Sequence, residues 1–131
     1  YESDLDTLEV ATERHVAARA AELGLADHVV PPRAAEPSNW NGASLLARTA
    51  YRMIRMDRDV ELGWEIARAA RTIARLGKPL TVIAGSASLS IVDDIEEPAA
   101  EILEEWLDRG TAGFVERVDR EWRLRRDYLA E

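Results

Sequence analysis

Two sets of side chains have the types and spacing to do chemistry, and they carry opposite charge. Arg68, Arg71, Arg75 and Lys78 recur with no acidic residue between positions 66 and 78. On a helix they would form a stripe of cations able to meet phosphate oxygens and the acceptor edge of guanine. Glu101, Glu104, Glu116 and Asp119 form one ExxE and one ExxD pair. Carboxylates three positions apart share a helix face, and two such pairs brought together would offer the hard oxygen ligands that magnesium takes. His15 and His28 are the only imidazoles, and the chain has no cysteine, so disulfides, thiol nucleophiles and cysteine-ligated zinc are excluded. No HExxH pattern is present, and both histidines are expected to be surface or capping residues.

The overall charge weighs against one of these chemistries and its distribution weighs for it. The 131 residues carry a formal net charge of -8, which opposes nucleic-acid binding through bulk electrostatics. Residues 43–78, however, hold eight basic side chains against four acidic ones, with acidic stretches on both sides. Lys78 is the only lysine. An acid-rich, lysine-poor surface of this kind would also suit a high-salt cytoplasm. The bland reading of the basic stripe is a solvated helix face neutralised by its acidic neighbours.

The elements that must position these residues read as helical. Hydrophobic residues make up 47% of the chain and charged ones 32%, a globular balance, and the length suits one domain over 1–131. No apolar run is long enough to span a bilayer, and the acidic start from Tyr1 lacks the positive region of a signal peptide, so a cytoplasmic protein with no membrane partner is expected. A helix is predicted over 3–23, stopped by Gly24, followed by an extended connection over 25–41 that contains Pro31, Pro32 and Pro37. Leu46, Ala50, Met53, Val60, Trp64, Ala67 and Ala74 recur at helical spacing, so 43–76 is helical, either as one rod or as two helices broken near residues 56–59. Gly77 and Pro79 end it.

Residues 80–92 fit two patterns. Leu80, Ile83, Ala84, Ala87 and Ile91 would line a helix, but five β-branched residues and three serines favour a β-hairpin turning at Gly85 and Ser86, with Leu80, Val82 and Ala84 on one apolar side. The hairpin is the preferred expectation. Pro98 then opens a helix that Gly110 stops, and a last helix follows, so 97–130 is predicted to be an αα-hairpin packed over the central pair.

A helix pair followed by a hairpin is the order of elements in a winged-helix DNA reader, with the 66–78 stripe on the recognition helix. The acidic pairs resemble those of the all-α nucleoside triphosphate pyrophosphohydrolases of the MazG kind. That resemblance covers only residues 101–119, and it implies that Glu101, Glu104, Glu116 and Asp119 hold magnesium against a triphosphate. The four tryptophans divide by position: Trp64, Trp106 and Trp122 fall on apolar faces and are expected in packing, whereas Trp40 lies between a polar loop and a helix start and is a candidate partner contact.

The expected fold is therefore mainly α, with four or five helices and a hairpin at 80–92, or an all-α bundle if that segment is helical. The leading functional expectation is a non-catalytic interaction or regulatory protein with a protein partner or a homodimer, needing no cofactor. A DNA-binding regulator and a magnesium-dependent pyrophosphohydrolase are the alternatives.

Overall fold

The computed structural model describes the backbone of residues 33–130 and the side chains of residues 33–125. The helix predicted over 3–23, the connection up to residue 32, His15 and His28 lie outside the described residues. The chain enters through one turn of 3-10 helix, Pro37–Asn39, and continues into α1 (Trp40–Arg55) and α2 (Val60–Arg75). A short α3 (Leu80–Ser86) and a second 3-10 turn (Leu89–Ile91) lead to α4 (Glu97–Arg109) and α5 (Gly113–Ala130). The fold is mainly helical, and no strand occurs among the described residues.

The helical stretch 43–76 is two helices, not one rod. Asp57 and Asp59 adopt left-handed backbone angles (φ 53° and 46°). Such angles end a helix, and aspartate tolerates them better than most side chains because it is short and polar. The amide of Arg58 donates to the carbonyl of Met53 and that of Asp57 to Ile54, which is the Schellman pattern with aspartate in place of the usual glycine.

The turn sends α2 back along α1, and this pair makes the most extensive contact in the fold. Leu46, Ala50 and Met53 of α1 and Ile66, Ala70, Ile73 and Ala74 of α2 are all buried. Small residues let the two backbones approach closely. A β-carbon built on Gly63 would stand 3.1 Å from Ile54 Cγ1 and 3.5 Å from Met53 Cβ. Alanine there needs Ile54 to shift by a few tenths of an ångström while gaining helix propensity, so Gly63→Ala should change stability by less than about 1 kcal/mol. Gly63→Val adds bulk the gap lacks and should lower stability by about 2 kcal/mol in urea unfolding.

The preferred hairpin at 80–92 is corrected by the structure. Residues 80–86 are helical, with the amides of Val82 and Ile83 both donating to the carbonyl of Pro79. A hairpin would have put Leu80 and Val82 on one face. Instead Leu80 is buried, Ile83 and Ala84 are half-buried and Val82 is 60% exposed, so the helical period governs. Burial against the core outweighs the β-propensity of Thr81, Val82 and Ile83.

The core is shared by all the elements: Leu46, Met53, Ile66, Ile73, Leu89 and Leu103 are fully buried. Helix α4 packs on α2 and on the Leu89–Ile91 turn, while α5 lies along α1. Gly110, in the left-handed region at φ 77°, ends α4, and α5 begins three residues later.

Candidate interaction surface

The start of α1 is tied to the start of α3 by one buried side chain. Asn39 donates through Nδ2 to the carbonyl of Lys78 (2.8 Å), and its Oδ1 accepts from the amide of Leu80 (2.9 Å). The first amides of a helix have no partner within it, so Asn39 satisfies one such amide across a separation of 41 residues. Close contact reinforces the tie, since a β-carbon on Gly42 would stand 3.1 Å from Leu80 Cδ1 and 3.3 Å from Trp106 Cζ3. Gly42→Ala is expected to lower the unfolding midpoint, because the added carbon would press on Leu80, Trp106 and Leu103 together, and all three belong to the core or pack against it.

A second carboxylate fixes the loop beyond α3. Glu104 Oε1 accepts from the amide of Leu89 (2.8 Å) and from Ser88 Oγ (3.1 Å), which holds the Leu89–Ile91 turn against α4. Between α3 and α4 lies an open groove of about 570 Å³, with Ala84, Gly85, Ala87 and Leu107 on its floor and Glu104 and Asp108 on its α4 side. Two large apolar side chains stand in solvent on these same short elements: Val82 at 60% and Ile91 at 65% exposure. Trp40 is 36% exposed at the first position of α1.

The structure separates the acidic residues that could have formed a metal site. Glu104 is engaged with the 88–89 backbone and hydroxyl, Asp119 forms an ion pair with Arg52, and Glu101 and Glu116 are exposed. Among the described residues no group of three or more histidine, cysteine, aspartate or glutamate side chains is placed to hold a metal ion. Glu101, Glu104, Glu116 and Asp119 are thus not gathered into one site.

The basic set stays together along α2 and just past its end. Arg68 and Arg71 are half-buried, and Arg75 and Lys78 are exposed. Arg71 and Arg75 border a shallow depression that also contains the carboxylate-bearing Asp94. No wing follows this helix, because residues 80–86 are helical. Its partner α1 runs antiparallel beside it, as the bonds from Ala35 N to the Ala74 carbonyl (2.8 Å) and from Asn39 to residues 78 and 80 require.

Sequence reasoning missed a third cluster, where α5 meets the end of α1. Arg52 pairs with Asp119 and lies 5.8 Å above the ring of Trp122, whose edge meets Tyr51 at a centroid distance of 5.8 Å. Arg125 donates to the carbonyl of Met56 (2.8 Å), capping α1, and Arg58 pairs with Glu121. The signals for this in the sequence were Trp122 on an apolar face and the high charge of 118–126, which reads equally well as a solvated face. Trp64, Trp106 and Trp122 pack against the core as partly buried side chains.

Comparison of the chain with protein-family models, with curated proteins and with solved structures returns no match.

Proposed function

We propose that this chain is a non-catalytic interaction module that binds protein through the surface formed by α3, the Leu89–Ile91 turn and α4. The observation that supports this reading most strongly is the exposure of Val82 and Ile91 on two short elements held by Asn39 and Glu104, of which α3 also lines an open groove with other side chains. Scattered exposed apolar residues need no explanation, but large ones on short elements that are pinned to the core form a preorganised contact. Thr81, Ser88, Glu104 and Asp108, which line the groove, supply polar groups of the kind found at the rim of such a surface.

The DNA-binding alternative keeps one favourable feature, the exposed Arg75 and Lys78 beyond half-buried Arg68 and Arg71. It loses the wing, which the structure replaces with α3. The two readings separate in one experiment on the full chain. Val82→Asp combined with Ile91→Asp should abolish co-purification of a defined protein partner while leaving circular dichroism unchanged, and retention on heparin should be negligible at physiological salt. Salt-sensitive heparin retention that disappears in Arg75→Ala with Lys78→Ala, with co-purification unaffected by the apolar changes, would favour nucleic acid instead.

A further inference from the structure

The groove has an acidic rim and a floor of small residues, and the same chain presents a helix face of the opposite character. Glu101, Glu104 and Asp108 follow one another at three and four positions along α4, with Glu101 and Asp108 exposed and Glu104 tied through only one oxygen. The floor residues Ala84, Gly85 and Ala87 leave room for a large apolar side chain. On α5, Arg117, Arg120 and Leu124 repeat the same three-and-four spacing on the side away from the buried Val115 and Val118, and Arg123 flanks them. All four are exposed, and Leu124, at 63%, is among the most exposed large apolar residues of the described chain. Asp119 and Glu121 within α5 are already paired with Arg52 and Arg58, and Glu116 is the one exposed carboxylate beside this stripe among the described residues, so Arg117, Arg120 and Arg123 outnumber it three to one.

We infer that the groove between α3 and α4 receives α5 of a second copy of this chain, with Leu124 on the small-residue floor and Arg117, Arg120 and Arg123 against Glu101, Glu104 and Asp108. This rests on the interaction-module reading and names its partner. Charge complementarity selects the occupant: a helix face with three arginines and an exposed leucine is opposite in charge to a row of three carboxylates beside an apolar groove. Because α4 and α5 are consecutive helices, a two-fold arrangement places each copy's α5 in the other's groove and covers both faces at once. The charged pairs lie at the surface, so they set register and orientation and weaken with salt, while the seating of Leu124 supplies the apolar contact.

The test uses three forms of the full chain and reads mass by sedimentation equilibrium. The wild-type chain should dimerise at low salt and dissociate progressively as salt rises. Glu101→Arg with Asp108→Arg gives a chain whose groove and α5 are both basic, and Arg120→Glu with Arg123→Glu gives one in which both are acidic. Each variant alone should have its dimer dissociation constant raised about tenfold or more. An equimolar mixture of the two should form a heterodimer, since both junctions are then complementary. A monomeric wild type, a self-association indifferent to the two charge reversals, or a mixture that fails to assemble would each overturn the inference. All four positions are exposed, and unchanged circular dichroism confirms that the variants are folded. These outcomes concern purified protein alone. If they fail while Val82→Asp with Ile91→Asp still abolishes capture of a different protein, the module reading stands and only its partner is wrong; if both fail, the module reading falls too.

Discussion

Asn39→Ala is expected to lower folding stability by about 2–4 kcal/mol, because it leaves the Leu80 amide and the Lys78 carbonyl without their partner in a site where Asn39 itself is 1% exposed. Water cannot readily replace the amide at that depth. Loss of the bond also frees the start of α3, so the surface carrying Val82 should loosen before the α1–α2 pair does. Urea unfolding with an unchanged m value measures the first effect, and hydrogen exchange at the amides of residues 80–86 measures the second. Asn39→Asp keeps an acceptor for Leu80 but turns a carboxylate oxygen toward the Lys78 carbonyl, so it should not rescue stability. An Asn39→Ala protein as stable as wild type, with the same exchange protection in α3, would show that the clamp does not hold the surface in place.

The second large effect concerns the cluster at the end of α1. The Arg52 side chain is only 12% exposed, and its partner Asp119 is 33% exposed. Removing the carboxylate takes its ion-pair partner from a mostly buried guanidinium, and the contact with Trp122 and partial access of water moderate the loss, so Asp119→Ala should lower stability by about 1–2 kcal/mol. Replacing both partners with apolar side chains, Arg52→Met with Asp119→Leu, should return most of that loss, because a buried pair is held less by its net attraction than by the penalty for breaking it. Strict additivity of the two single changes in a double-mutant cycle would contradict this account. By contrast, Arg58→Ala should change little, since Arg58 and Glu121 are 46% and 41% exposed.

The helical period was legible wherever a face is buried along its whole length. Leu46, Ala50, Met53, Ala67 and Ala74 marked α1 and α2 correctly because burial repeats every turn there. The break between them carries no glycine, so Asp57 and Asp59 made a turn near residues 56–59 possible in the sequence without deciding it. At 80–92 the local preferences of Thr81, Val82 and Ile83 pointed to strands, and the deciding fact was non-local: Leu80 and Leu89 are buried against the core while Val82 stays in solvent. Asn39 and Glu104 could not be assigned from the sequence for the same reason, since each bonds backbone 15 to 41 residues away. The partial exposure of Trp40 follows from its position at a loop-to-helix boundary. That of Val82 and Ile91 was not legible, because the sequence marks them as apolar and only the packing shows which apolar residues are left outside.

The claim on which the functional account rests is that the α3 surface meets protein. A photo-crosslinking amino acid placed at Val82 in the native host measures this most directly, with the same group at exposed Glu61 on α2 as the control position. The account predicts discrete protein adducts from position 82, lost when Ile91 is also changed to Asp, and none above background from position 61. Equal labelling from the two positions, or adducts to nucleic acid alone, would contradict it.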